Sequence, residues 1–212
     1  MTSTDPASCL VQFAKAPILG QVKTRLQSSL GEQGCLDLHC ALVEHVLSQF
    51  VHETGVCQQL WCSEPHPYFQ QLVEGLPVSL HLQQGNDLGM RMASAFQTCL
   101  HHYDKVVLIG SDCPALSVQT LNATLQLLDE VPAAFVPAED GGYVLVGLTR
   151  FDPRLFQGIP WGSSEVMNAT RSRLLEIGWD WRELEMLSDI DRPDDLYLLS
   201  GHKKLDFFAK NY

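Results

Sequence analysis

The chain has 212 residues, of which 45% are hydrophobic and 18% charged, a composition typical of a globular protein that buries a core without disulfides. Its formal net charge of −11 at pH 7 has the wrong sign for a protein whose main partner is nucleic acid, so we expect no nucleic-acid partner. No apolar run reaches the roughly 18 residues of a membrane span, and residues 1–6 lack the basic and apolar segments of a signal peptide. We therefore expect a cytoplasmic protein.

Apolar, β-rich runs alternate with helical patterns along the chain. Apolar residues at helical spacing predict helices over 35–50, 88–100, 118–128 and 166–177. The alternation indicates an α/β fold with a mainly parallel sheet covered by helices, and no repeat or linker divides the single predicted domain, 1–212. Ligands of such sheets bind beyond the carboxyl ends of the strands. The six apolar runs predict strands at 9–14, 56–62, 78–82, 106–109, 133–137 and 143–148.

The loop after the first predicted strand concentrates positive charge in an acidic protein. Lys15, Lys23 and Arg25 lie close together, and no other Lys or Arg occurs between Arg25 and Arg91. This clustering favours a bound anion, and phosphate suits a site that offers a point charge, a bidentate guanidinium and turn N–H groups. The alternative is a solvated loop whose cations balance nearby acids. The chain has neither G-x-x-x-x-G-K-[ST] nor G-x-G-x-x-G, which disfavours a P-loop ATPase and an NAD-dependent dehydrogenase.

Five sequence blocks resemble those of one bacterial family. F-A-K-A-P-x-x-G-x-V-K-T-R-L at 13–26 resembles the opening motif of a family with the glycosyltransferase-A, or nucleotide-diphospho-sugar transferase, fold, whose reaction is largely unassigned. The later blocks occur in the family's order: G-N-D-L-G-M-R-M at 85–92, G-S-D-C-P at 110–114, E-D-G-G-Y at 139–143 and D-I-D-R-P-D-D-L at 189–196. The resemblance implies a three-layer αβα sandwich with a mixed, mostly parallel sheet.

The resemblance also gives the first motif a role in binding the diphosphate of a nucleotide or nucleotide sugar. We expect the binding residues of this loop to be Ala14, Lys15, Gly20, Lys23 and Arg25, with Lys23 also acting in catalysis.

The second motif offers Asp87 and Arg91 at the start of a predicted helix, and we expect both to contact the nucleotide. An ion pair between the two residues at i,i+4 spacing is the alternative. The glycines of the motif, Gly85 and Gly89, would let a base or ribose approach the backbone.

Asp112 follows an apolar run and is therefore expected at the mouth of a buried parallel strand, facing the ligand crevice. Its carboxylate is a hard oxygen ligand suited to Mg²⁺ or Mn²⁺, although Asp also commonly caps a helix or turn. Many glycosyltransferases of this fold have Asp-x-Asp here, whereas this chain has Gly110 and Pro114 on either side of Asp112. Gly-Ser-Asp-x-Pro is similar instead to the segment in molybdenum-cofactor and phospholactate guanylyltransferases.

Likeness to those relatives implies that Asp191, with Asp189 beside it, completes the metal site of Asp112. Asp191 is equally placed to be the N-cap of a helix that begins near Pro193, with two acids in its first turn that would interact with the helix dipole.

The segment around Asp140 is the candidate acceptor site. Asp140 is expected to act as a general base or auxiliary metal ligand, and Gly141 and Gly142 would allow the acceptor to approach the backbone. A hairpin turn between two strands is the alternative. Trp161 would shape the acceptor pocket, while Ser163 is expected to be a plain N-cap.

Together these residues predict a transferase dependent on Mg²⁺ or Mn²⁺ that binds a nucleotide or nucleotide sugar and a small-molecule acceptor. Glycosyl transfer from a nucleoside-diphosphate sugar is the favoured reaction. The alternative is nucleotidyl transfer of the guanylyl or cytidylyl type, which releases pyrophosphate. A further alternative is a non-catalytic nucleotide-binding protein on the same fold.

Overall fold

A seven-stranded sheet forms the centre of the protein, in a computed structural model that describes residues 7–202 and 204–210. The strands are β1 Ser8–Ala14, β2 Val56–Cys62, β3 Val78–Leu82, β4 Lys105–Ile109, β5 Ala133–Pro137, β6 Tyr143–Leu148 and β7 Trp181–Glu183. Their order is β3-β2-β1-β4-β6-β5-β7, and β6 is antiparallel to β4 and β5 while the other pairs are parallel. The predicted mixed, mostly parallel sheet is confirmed.

Helices cover both faces of the sheet. Helices α3 and α5 pack on one face, and α1, α2 and α4 pack on the other, which confirms the predicted three-layer αβα sandwich. Within residues 7–202 and 204–210, no helix combines the length and the apolar character that crossing a membrane requires. The α-helices are α1 Gln27–Phe50, α2 Pro67–Val73, α3 Leu88–Cys99, α4 Val118–Leu127, α5 Val166–Ile177 and α6 Asp206–Lys210, with 3₁₀ helices at Thr24–Leu26, Pro153–Phe156 and Pro193–Leu199.

Successive residues of the central strands face the two helical layers alternately. In β4, Val106 and Leu108 pack toward α3 and α5, whereas Val107 and Ile109 pack toward α1 and α4. Because both faces are buried, such a strand is apolar throughout, and this is why an uninterrupted apolar run predicted it.

Three elements differ from the sequence prediction. The sequence analysis missed β7, which has only three residues and includes Arg182 and Glu183, and it missed the seven-residue α2, which begins at a proline. Helix α1 begins at Gln27, whereas the sequence pattern predicted its start near residue 35. The first turn was missed because Gly31, at φ 67°, kinks the helix there and shifts the apolar residues of that turn out of register with the rest. Residues 1–6, on which the expectation of no signal peptide rests, lie outside the described residues.

The strand order places a ligand crevice between β1 and β4. The chain leaves β1 toward β2 on one side, and the strands that follow β4 lie on its other side. Loops that leave neighbouring strands in opposite directions open a crevice at their carboxyl ends. Here those loops are 15–26 and 110–117, which carry the first and third sequence motifs.

Candidate active site

Three loops converge on this crevice. Beyond β7 the chain continues alongside β5, with the N–H of Leu187 donating to the carbonyl of Pro137 at 3.0 Å. It then reaches the loop after β4, where the N–H of Ile190 donates to the carbonyl of Asp112 at 2.9 Å. The D-I-D segment is therefore held against the G-S-D segment by a backbone hydrogen bond, as the metal-site prediction requires.

Lys23 ties the three loops together. Its Nζ lies 2.7 Å from Oδ1 of Asp112 and donates to the carbonyl of Ile190 at 2.5 Å, and only 5% of its side chain is exposed. Among the residues that the structure describes, Lys23 is the one non-glycine residue with a positive φ, 49°. A lysine in that conformation is strained, and such strain persists where the surrounding contacts hold it. The predicted phosphate-binding and catalytic lysine is thus a buried counter-ion of Asp112 in this structure.

Asp112 presents one oxygen to Lys23 and the rest of its carboxyl group to the crevice. Its Oδ1 is buried, yet 46% of the side chain is exposed, so the exposed area belongs to the remainder that includes Oδ2. Partial burial opposes ionisation, but the charge and hydrogen bond of Lys23 outweigh it and hold the pKa of Asp112 below its usual value. Asp112 is therefore an anion at neutral pH with an oxygen available for a ligand.

Arg25 and Asp191 form a second ion pair beside the first. Nη1 of Arg25 donates to Oδ2 of Asp191, and 60% of the arginine side chain is exposed. Lys15, the third cation of the loop, donates from Nζ to the carbonyl of Gln21 at 2.7 Å. Lys15 is therefore held by a backbone carbonyl of its own loop, and Arg25 is held by the Asp191 carboxylate.

Two capping predictions are wrong. The 3₁₀ helix after the D-I-D segment has Arg192 as its N-cap, and Oδ2 of Asp195 accepts from the N–H groups of both Asp191 and Arg192. Asp195 thus caps the turn and leaves the Asp191 side chain to Arg25. Helix α5 is capped at Glu165, while Ser163 donates from Oγ to the carbonyl of Pro160.

Two further carboxylates, Asp140 and Asp189, line the same cavity as Arg25 and Asp191. Asp140 sits in the turn between β5 and β6, where its Oδ1 accepts from the N–H of Gly142 at 2.9 Å, so the hairpin alternative is confirmed for the backbone. Burial, with the nearby charges of Asp140 and Asp112, raises the pKa of Asp189 to about 6. Asp189 is therefore close enough to both Asp140 and Asp112 for their charges to repel its own.

Three adjoining cavities follow this row of charges. A cation cavity of about 350 Å³ includes Lys15, Lys23, Arg25, His39 and Asp112. A middle cavity of about 470 Å³ shares Arg25 and Asp191 with it. An apolar cavity of about 240 Å³ shares with the middle cavity Asp140, Gly162, Ser163 and Asp189. Because the middle cavity shares lining residues with each of the other two, the three cavities lie in a row and together form the cleft.

The apolar cavity lies where the acceptor is predicted to bind. Gly142 and Trp161 both line it, and the Trp161 ring packs edge-on against Tyr143 at 6.4 Å between centroids. Gly141 has a structural role instead, since a Cβ there would lie 2.1 Å from the carbonyl oxygen of Ser164.

Four residues with predicted nucleotide contacts lie outside the linings of this cleft. Ala14 is buried at the end of β1, where its carbonyl accepts from the N–H of Ser63 at 3.0 Å. The carbonyl of Gly20 accepts from Nε2 of Gln27 at 3.3 Å, within its own loop.

Asp87 and Arg91 lie at the start of α3 and do not form the alternative ion pair. The Asp87 side chain caps α3 by accepting from the N–H of Met90 at 2.7 Å, and Nε of Arg91 donates to the carbonyl of Gly85 at 3.1 Å. Their neighbours Leu88 and Met92 line the apolar cavity instead.

His39 is a cleft residue that sequence reasoning missed. It lies on the buried face of α1, and its Nε2 is 2.8 Å from the carbonyl of Lys15. Burial lowers the pKa of His39, so the imidazole is neutral beside Lys23 and Asp112. A titratable residue among Cys35, Leu38 and Leu42 of an apolar helix face was the available signal.

The carboxylates of the cleft are chemically suited to a hard divalent cation, which prefers oxygen ligands and usually retains waters and substrate phosphates. No group of three or more His, Cys, Asp or Glu side chains in residues 7–202 and 204–210 is arranged to hold a metal ion. Asp112, Asp189 and Asp191 have the donor type of the predicted metal but are not arranged around one here, and the metal itself stays a prediction.

A family model described as "uncharacterized protein conserved in bacteria (DUF2064)" matches residues 46–163, more than half of the chain. The chain belongs to this family. No curated protein sequence matches this chain.

A crystal structure from Desulfovibrio desulfuricans G20, described as that of a candidate nucleotide-diphospho-sugar transferase, is 30% identical with a TM-score of 0.83. The alignment covers 93% of this chain and 88% of that chain. CMP:2-keto-3-deoxy-manno-octonic acid synthetase in complex with CTP matches at a TM-score of 0.60 and 13% identity, over 97% of this chain and 99% of that one. A cytidylyltransferase from Leptospira borgpetersenii matches at 0.58 and 14%, over 91% and 84%. Nucleotide-dependent transferases thus share the fold of this family member.

Proposed function

We propose that the chain is a metal-dependent transferase that binds the phosphates of a nucleotide or nucleotide sugar in the cation cavity and transfers a group to an acceptor in the apolar cavity. The observation that carries the proposal is the middle cavity between the two, which shares Asp191 with the cation cavity and Asp140 and Asp189 with the apolar one. A donor bound across them would place its phosphates near Lys15 and Arg25 and its reactive atom near Asp140.

Glycosyl transfer is the first candidate reaction. The acceptor hydroxyl oxygen bonds to the anomeric carbon, the bond from that carbon to the β-phosphate oxygen breaks, and nucleoside diphosphate leaves. The hydroxyl proton passes to a carboxylate, for which Asp140 or Asp189 is placed at the boundary of the apolar cavity. The 30% identity to the Desulfovibrio protein supports this candidate.

Nucleotidyl transfer is the second candidate, favoured by the contact that holds Asp189 to Asp191 against Asp112. In that reaction the acceptor oxygen bonds to the α-phosphorus of a nucleoside triphosphate, the bond to the β-phosphate bridging oxygen breaks, and pyrophosphate leaves. The acceptor proton again passes to a carboxylate. Carboxylates from two segments, Asp112 and Asp191, would hold a metal that neutralises triphosphate charge, and the backbone hydrogen bond from Ile190 to Asp112 keeps the two segments side by side.

The metal would be held by Asp112 through its exposed oxygen, with Asp189 and Asp191 as further oxygen donors. When bound, it would neutralise charge on the substrate phosphates. The protein's own contribution is to fix the carboxylates with Lys23, present Arg25 to the phosphates and accept a proton at Asp140 or Asp189.

The test is a thermal-shift titration with UDP-glucose, GDP-mannose, GTP and CTP, with and without Mn²⁺, followed by analysis of slow hydrolysis products. A ligand at 100 times its dissociation constant adds about 2.7 kcal/mol of stability, which is visible as a melting shift. Nucleoside diphosphate release identifies glycosyl transfer, and pyrophosphate release identifies nucleotidyl transfer.

Asp112→Asn should abolish hydrolysis and the Mn²⁺-dependent part of the shift. Asp129→Asn is the matched control, because Asp129 pairs with Lys105 outside the cleft. Absence of a shift with every nucleotide would contradict the proposal, and binding without hydrolysis, unchanged in Asp112→Asn, would identify a non-catalytic binding protein.

A further inference from the structure

The apolar cavity is lined mostly by hydrocarbon and aromatic groups. Its inner walls come from Leu88 and Met92 of α3, Val144 and Val146 of β6, and the ring of Trp161. Its volume of about 240 Å³ exceeds the roughly 150 Å³ of an engineered apolar cavity that binds benzene. The space therefore accommodates a substituted ring or a small fused ring system.

The Tyr143 ring also lines the cavity, but its hydroxyl is directed elsewhere. That hydroxyl hydrogen-bonds to the Thr170 side chain, whose own Oγ1 donates to the carbonyl of Val166 at 2.8 Å in the first turn of α5. Tyr143 therefore contributes an apolar face to the cavity and no hydrogen-bonding group.

The polar side chains of the cavity are gathered at one end. Asp140, Ser163 and Asp189 line both the apolar and the middle cavity, so they lie where the two meet. A ligand in the apolar cavity thus has one polar contact region, and it faces the side from which the donor phosphates would approach.

This distribution of polar side chains disfavours the binding of a polar ligand. Burying a hydroxyl or amide without a hydrogen-bond partner is unfavourable, and a sugar or nucleobase carries several such groups. Walls formed by Met92, Val144 and Val146 offer those groups no partners. A ring with a single hydroxyl, in contrast, can bury its hydrocarbon body and present that hydroxyl to Asp140 and Asp189.

We infer that the acceptor of this transferase is an apolar, ring-containing alcohol or phenol, whose body fills the apolar cavity and whose hydroxyl faces the carboxylates. This inference rests on the proposed function for its transfer step, since it assigns the acceptor of that reaction.

The probe is 2-naphthol, a fused ring with one hydroxyl, titrated calorimetrically into the full chain, with glucose as the polar comparison. We expect saturable binding of 2-naphthol with a negative heat-capacity change, the marker of apolar burial, and no binding of glucose. Leu88→Asp should weaken 2-naphthol binding at least tenfold. Leu88 is half exposed at the start of α3, where an acid favours the helix dipole, so this variant should fold.

Leu175→Asp, an exposed position on α5 outside the cavity lining, is the matched control and should bind 2-naphthol as the unaltered chain does. Equal affinity of Leu88→Asp, binding of glucose, or no binding of 2-naphthol would overturn the inference. The nucleotide titration separates this failure from that of the proposed function. Nucleotide binding unchanged by Leu88→Asp with no 2-naphthol binding refutes the acceptor class alone, whereas Leu88-dependent 2-naphthol binding without any nucleotide binding refutes the transfer role.

Discussion

Two ion pairs stand side by side in the cleft, built from residues two positions apart in one loop, and they differ in burial. Lys23 is 5% exposed and contacts both Asp112 and the carbonyl of Ile190. Arg25 is 60% exposed and pairs with Asp191. This difference in burial gives the two cations different roles, which the sequence motif alone does not distinguish. Lys23 holds three loops together, and Arg25 remains accessible to an incoming anion.

The physical reason is the contrast between buried and exposed charge. A buried charge that loses its partner is strongly destabilising, whereas an exposed pair contributes about 0–1 kcal/mol because water and salt screen it. Exchange of Asp191 for a substrate phosphate would therefore cost Arg25 little. The same exchange at Lys23 would leave Asp112 without its counter-ion.

The largest expected effect is on stability in Lys23→Met. Removing the ammonium leaves the buried Oδ1 of Asp112 and the Ile190 carbonyl without their donor. Because 46% of the Asp112 side chain is exposed to water, the free energy of unfolding should fall by about 2 kcal/mol. Urea denaturation of the variant and the unaltered chain measures this change in the free energy of unfolding. Lys204→Met, which removes an exposed lysine paired with Glu44, should change stability by less than about 1 kcal/mol. Equal effects of the two variants would erase the distinction between the two pairs.

A smaller effect is expected from acidification, through His39 in the buried corner. Burial places the folded-state pKa of His39 below the unfolded value of 6.5, so the unfolded chain binds more protons and stability should fall as pH drops below 6.5. His39→Gln should reduce the difference in unfolding free energy between pH 7.5 and pH 5.5. An unchanged difference would show that His39 does not titrate on unfolding. The remaining dependence should come from His45 and His81, whose pKa values burial also lowers, and in the opposite direction from Asp189, whose folded-state pKa is raised to about 6.

Arg25→Ala should change the free energy of unfolding by less than about 1 kcal/mol. Arg154→Ala is the matched control, because Arg154 is 63% exposed and pairs with Asp152 outside the cleft. Chemical denaturation of both variants should give similar small values. A loss near that of Lys23→Met would show that Arg25 also anchors the loop.

The smallest expected effect is that of salt. Raising the ionic strength from 0.1 to 1 M shortens the Debye length from about 10 to about 3 Å, which screens exposed charges far more than buried ones. At 1 M salt the difference in unfolding free energy between Arg25→Ala and the unaltered chain should disappear. The corresponding difference for Lys23→Met should persist. Denaturation curves at the two salt concentrations decide this, and loss of both differences would contradict the assigned burial of Lys23.

The fold was accessible from the sequence because strands buried on both faces are apolar throughout, as in β4. The short β7 was not, since Trp181–Glu183 carries two charged residues in three. That omission mattered for the site, because the segment after β7 brings Asp189 and Asp191 to Asp112. The clustering of Lys15, Lys23 and Arg25 was visible in the sequence, but burial separates their roles, and burial is a property of tertiary packing.

Local rules of capping were less informative than the order of the motifs. Asp191 and Ser163 both suited an N-cap by residue type, yet Arg192 and Glu165 hold those positions because the backbone turns one or two residues later. His39 escaped notice because its helical position belongs to the core face.

The measurement that tests the central claim most directly is the dissociation constant of the best-bound nucleotide for the unaltered chain, Arg25→Ala and Arg154→Ala, by calorimetry with Mn²⁺. The separation of tasks between Lys23 and Arg25 predicts that Arg25→Ala weakens binding at least tenfold while Arg154→Ala leaves it unchanged. Equal affinity in all three proteins would contradict the assignment of Arg25 as the exchangeable cation of a phosphate site.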